Sequence, residues 1–266
     1  MNLDWLNQSF AQYSLFWLVL SGVIGGLTGA SSKFIFEDVL RPRLNSNRSI
    51  DAITKQHSVP IIRAADNLER RINNLVRNAD RGWYASSDHY KISTLFIFGE
   101  FLAIVRSIER ELGYLPHEST NRGKSFNAKV YGPFRAMTSF AYFRTVAADA
   151  DDIGASGVPR LMLTAIGEKM LTEQGRVREF TDFATLFSND PRFRKWFDDL
   201  DKFLLEATTI NELSWDRLIA LGANLRLLVT FLDPKSKLLD QRDVANLDLI
   251  KNQQVRSALN AEIAEQ

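Results

Sequence analysis

The sequence contains no cysteine, an absence that excludes disulfides, iron–sulfur clusters and thiolate zinc sites together. It also fits a reducing compartment. Histidine is nearly as scarce, with only His57, His89 and His117 present. None belongs to a His-x-x-x-His pair, and Asp88-His89 and His117-Glu118 are chain neighbours whose side chains diverge, so the ligand spacing of a zinc hydrolase is missing. No cofactor is expected. An excess of one charge is missing too: 33 Lys and Arg stand against 32 Asp and Glu, and nucleic acid is not an expected partner of so balanced a chain. A mean hydropathy of −0.17 leaves no room for several membrane spans.

Motifs for known chemistry fail one by one. There is no Gly-x-Ser-x-Gly and no Gly-x-Gly-x-x-Gly. Arg122-Gly123-Lys124-Ser125 ends like a phosphate-binding loop, but Glu118 stands where the upstream glycine belongs and no buried strand precedes it. Asp149, Asp151 and Gly154 match three positions of a calcium loop. Ile153 and Arg160 then occupy positions that need oxygen ligands.

What the chain does carry is an uncharged stretch from residue 6 to residue 32. As a helix, residues 13–30 would cover about 27 Å, close to the hydrocarbon thickness of a bilayer. Trp5, Tyr13 and Trp17 cluster toward one end, where rings favour the headgroup region. The expectation is one transmembrane helix over residues 13–32. The competing readings are a signal peptide cleaved near Thr28 and Ala30, and a buried core helix. Lys33, Arg41, Arg43 and Arg48 follow the stretch, while only Asp4 precedes it. The positive-inside rule then leaves residues 1–12 outside a cell (inner) membrane and the bulk of the chain in the cytoplasm. Ser21, Gly22, Gly25, Gly26 and Gly29 place small residues four apart, a spacing that lets two such helices pair. The expected partners are thus the bilayer and a second copy of the chain, with an unidentified protein or small anionic ligand beyond them.

The remainder reads as mainly α: a juxtamembrane connector over 33–58, one bundle-like helical domain over 59–240, and a frayed helical tail over 241–266. Pro60 opens an amphipathic helix with Ile61, Ala65, Leu68, Ile72, Leu75 and Val76 on one stripe and Arg63, Arg70 and Arg77 on another. Residues 80–84 break it. Residues 92–105 form a buried helix, 117–125 a loop, and 131–148 an aromatic-rich helix. Pro159 starts the next helix, with a short strand over 161–171 as the alternative. Asn189-Asp190-Pro191 starts another, and Ser214 caps the one that Asp233-Pro234 ends.

One constellation remains for function. Glu100, Arg135, Arg144 and Arg226 each interrupt strongly apolar helical runs. A lone buried charge costs several kcal/mol, so these residues either pair as structural ties or line a pocket for an anionic ligand. The leading expectation is a non-enzymatic, membrane-anchored binding, scaffold or sensor-effector module. A membrane-tethered enzyme or anion receptor around those four residues is the alternative.

Overall fold

In the computed structural model the described residues are 41–112, 121–138, 156–208, 212–240 and 242–264. Residues 13–32, with the expected span and its glycine face, lie outside them. Among the described residues no helix is long and apolar enough to cross a membrane. By its internal contacts the chain divides into residues 1–50, of which 41–50 are described, and residues 51–266.

The described fold is helical, and its only β pairing is an isolated bridge between Leu171 and Val177. In chain order the helices are α1 (Arg41–Arg77), α2 (Trp83–Ser86), α3 (Asp88–Leu112), α4 (Asn121–Val130), α5 (Gly132–Thr138) and α6 (Arg160–Lys169). Then come α7 (Phe180–Asn189), α8 (Pro191–Arg194), α9 (Asp198–Thr208), α10 (Glu212–Leu232) and α11 (Gln253–Ala264).

α1 differs from the sequence expectation at its start. Pro60 lies inside the helix, not at its beginning, so the polar residues from Arg41 onward are helical where a connector was expected. Proline removes one N–H from the ladder. The burial of Ile61, Ile62, Ala64 and Ala65 directly after it supplies the packing that holds the turn. The expected apolar stripe from Ile61 to Val76 is buried throughout, and Arg63, Arg70 and Arg77 are exposed. α1 ends as expected, in a 3₁₀ turn (Ala79–Arg81) closed by Gly82 at φ +61°, a left-handed conformation that glycine adopts without strain.

α10 is the axis of the bundle. Leu218, Ile219, Ala220, Leu221, Ala223, Leu225, Leu228 and Val229 are all buried, and a helix apolar on every side is one surrounded by others. α5 and α9 pack on it most closely, with α4 and α11 beside them. Ser214 is not its cap: the helix starts two residues earlier, and the buried Ser214 hydroxyl donates to the Ser156 carbonyl at 3.3 Å. A second layer sets α3 against α6 and α7. There Gly167 permits a close approach, since a Cβ at that position would stand 2.7 Å from the Leu102 carbonyl oxygen. Phe183 anchors this layer among Phe96, Phe187, Phe193 and Phe197, with ring centroids 5.2–5.8 Å away.

Two more differences have local causes. The expected loop over 117–125 gives way to helix from Asn121, and that helix is divided at Gly132-Pro133, where proline has no N–H for the preceding turn. Residues 160–169 are the helix expected there, not the alternative strand, with Pro159 as N-cap. The tail is fixed rather than frayed. Trp215 Nε1 donates to the Leu249 carbonyl at 2.9 Å, and Asp216 accepts from the Lys251 and Asn252 N–H groups at 2.8 and 2.9 Å. Ile250, Val255 and Leu259 then bury themselves in the common core.

Candidate functional site

Of the four charged residues singled out in the sequence, the three that are described do not converge. Arg144 lies outside the described residues. Arg135 is half-exposed on α5, with its guanidinium 3.3 Å from the Glu262 carboxylate of α11. Glu100 is half-buried on α3, and its pKa is raised above the ordinary 4.5, first by burial and then by the nearby Glu179 charge. Arg226 is 2% exposed and faces α1.

Around Arg226 the chain builds a closed network. Its Nη2 donates to Asp66 at 2.9 Å and also to Glu69. Arg242, from the segment after α10, donates to Asp66 as well, and Arg70 Nε reaches the other Asp66 oxygen at 2.8 Å. Glu69 accepts from Asn73 at 2.6 Å, and Asn73 in turn accepts from Asn246 at 2.7 Å. Asp66 and Glu69 are 4% and 3% exposed. Burial acts to raise the Asp66 pKa, but hydrogen bonds from Arg226 and Arg70 and the charges of Arg242 and Arg70 outweigh it and hold it below the ordinary 3.8. Arg217 is an equally buried cation, donating to Ser156 Oγ and the Ala136 carbonyl, both at 3.0 Å, and burial pushes its pKa down to about 10. These arginines already bind groups of their own chain.

An open site exists elsewhere, on the outer face of α1. A groove of about 610 Å³ is lined by Asn67, Arg70, Arg71, Asn74, Trp83, Tyr90 and Ile97. Helical spacing creates it: Asn67, Arg70, Arg71 and Asn74 stand at i, i+3, i+4 and i+7, on one face. The break at Gly82 then turns Trp83 and Tyr90 back toward that face. The Arg71 guanidinium carbon sits 4.7 Å from the Tyr90 ring centroid, and the Tyr90 hydroxyl donates to Asn74 Oδ1 at 2.5 Å. Trp83 and Tyr90 meet edge to face at 6.1 Å, with Arg81 5.0 Å from the indole centroid. Burial raises the Tyr90 phenol above its ordinary 10, with the Arg71 charge acting the other way. The Arg70 side chain is 60% exposed, and the Asn67 side chain makes no hydrogen bond to a described residue.

No known protein family, curated protein or solved structure matches this chain. The groove must therefore be understood from its own chemistry. Among the described residues no group of three or more His, Asp or Glu could hold a metal ion. The groove instead offers two guanidinium forks, two amides and two rings, a set that favours a planar, anionic molecule. The sequence carried half of this signal, since the basic stripe through Arg70 was visible. The contribution of Trp83 and Tyr90 depends on the turn at Gly82 and was not.

Two variants separate structural from ligand-binding charge. Arg226→Leu leaves Asp66 and Glu69 buried without their main partner and should cost about 3–5 kcal/mol, measured by urea unfolding of the full chain in mild detergent. The Asp66 contribution has a depressed folded pKa, so it is complete above 3.8 and is lost as pH falls through the lower folded value. The cost of Arg226→Leu should therefore shrink in strong acid. A neutral variant would show that the network carries no stability.

Glu100 has the opposite sign. Its raised folded pKa penalises the charged form, a penalty complete above the folded value and gone below the ordinary 4.5. Glu100→Gln should raise the melting temperature at neutral pH and leave it unchanged near pH 4. A loss of stability at neutral pH would mean that the carboxylate is held by a favourable partner.

Proposed function

We propose that this chain is a non-enzymatic helical module, anchored in a membrane by residues 13–32, that captures an anionic ligand in the α1 groove. The observation that carries the reading is the pairing of Arg70 and Arg71 on one open face beside the exposed Trp83 and the half-buried Tyr90. Guanidinium groups bind carboxylate and phosphate through paired hydrogen bonds, and the groove volume lies within the usual range for small-molecule sites. The core arginines already hold carboxylates and backbone carbonyls of the chain, so the groove takes over the anionic-ligand role first considered for them.

The anchor rests on the uncharged stretch, and the small face of Ser21, Gly22, Gly25, Gly26 and Gly29 supports self-association within the bilayer. An alkaline carbonate wash of membranes containing the full chain should leave it in the pellet. Release into the wash would remove the anchor from this proposal.

Ligand capture is tested by thermal unfolding of the full chain in mild detergent with ribose 5-phosphate as probe. The melting temperature should rise with the sugar phosphate and not with sodium chloride at equal ionic strength. Arg71→Gln should abolish the rise while changing the ligand-free value little, since an exposed cation–ring contact contributes only about 0.5–1 kcal/mol. A melting temperature indifferent to the probe counts against the groove.

A further inference from the structure

We infer that the groove recognises a nucleoside monophosphate. The inference rests on the anion reading above and adds the ring and its edge. A phosphate monoester carries about −1.5 to −2 charges near neutral pH, a match for the two guanidinium groups of Arg70 and Arg71. These adjacent residues open onto the groove from one helix face. Among the described residues Arg70 has only Nε committed, to Asp66 at 2.8 Å. That contact fixes the guanidinium plane while its terminal nitrogens extend from a largely exposed side chain.

The rest of the lining suits a base better than a bare anion. Trp83 is 38% exposed, with Arg81 over its ring at 5.0 Å, so part of the indole stands open beside the groove. Flat heteroaromatic rings stack on such a surface with little regard to sequence or substituent. Tyr90 is held in place at both its ring and its hydroxyl, by Arg71 and Asn74, so the second ring wall is fixed before a ligand arrives. Asn67 and Asn74 each carry an amide with both a donor and an acceptor. Exposed on the same face as the arginines, they suit the mixed donor and acceptor edge of a base. Asn74 Oδ1 already accepts from Tyr90, and a sugar phosphate would use the arginines and leave the Asn67 amide and the Asn74 amide N–H groups idle.

Equilibrium dialysis of the full chain in mild detergent tests this with three probes: adenosine monophosphate, ribose 5-phosphate and adenosine. The nucleotide should bind at least about tenfold more tightly than either fragment. Trp83→Leu, a change at a partly exposed position, should reduce nucleotide binding to the ribose 5-phosphate level while leaving ribose 5-phosphate itself unaffected. Arg71→Gln should weaken both phosphates and spare adenosine. Equal binding of nucleotide and sugar phosphate overturns this inference and leaves the anion site standing. If neither phosphate binds, the anion site falls and the inference with it. Nucleotide binding that survives both substitutions places the ligand elsewhere and also overturns it.

Discussion

The fold depends on the ion network that Asp66 and Glu69 form with Arg226 and Arg242. α10 runs through the centre of the bundle and would be apolar on every side but for a few polar residues, of which Arg226 faces α1. Two carboxylates on α1 meet that cation, and Arg242 brings the chain beyond α10 to the same point. Three separate parts of the sequence are thereby held in one register. Apolar packing alone would allow α1 to slide or rotate against α10, because one aliphatic stripe fits another in several ways. A buried cation with two acceptors allows one arrangement, since any slip leaves charge unpaired at a cost of several kcal/mol.

The same network reaches the surface. Asp66 uses one oxygen for Arg226 and Arg242 inside and the other for Arg70 outside. The groove arginine is therefore aligned by a carboxylate that the core holds ionised. This arrangement reduces the conformational freedom that Arg70 would otherwise lose on binding, which is how preorganised sites gain affinity. Arg71 is aligned differently, by stacking on Tyr90, whose hydroxyl returns to Asn74 on α1. The two cations of the groove are thus fixed by two independent supports.

Much of this architecture could be read from periodicity, and what could not has a common cause. The buried stripe from Ile61 to Val76, the break at Gly82, the Asp190 cap and the stop at Asp233-Pro234 are all local signals, and all appear in the structure. Arg226 stood out because it interrupts an apolar run, yet its partners lie 157 and 160 positions earlier in the chain, beyond the reach of spacing rules. Asp66 and Glu69 gave a weaker signal, as acids flanking Leu68 within an apolar stripe. Pro60 misled because proline marks helix starts more often than it sits inside helices, and here tertiary burial overrides the lost hydrogen bond. The groove was hidden because it joins one helix face to rings supplied after a turn, and the angle of that turn is not written in any single window.

The contrast between core and groove is the reason for assigning the proposed function to the latter. Each charged side chain of the core network has an internal partner, although Arg226 Nε itself makes no hydrogen bond, and charges paired in this way specify a structure rather than receive a ligand. In the groove, Arg70 has one nitrogen committed and Trp83 remains in water. Arg70 and Arg71 stand on α1, which Asp66 and Glu69 tie to Arg226, and Trp83 follows at the start of α2; support of that kind is what a binding site requires when its affinity depends on rigid placement.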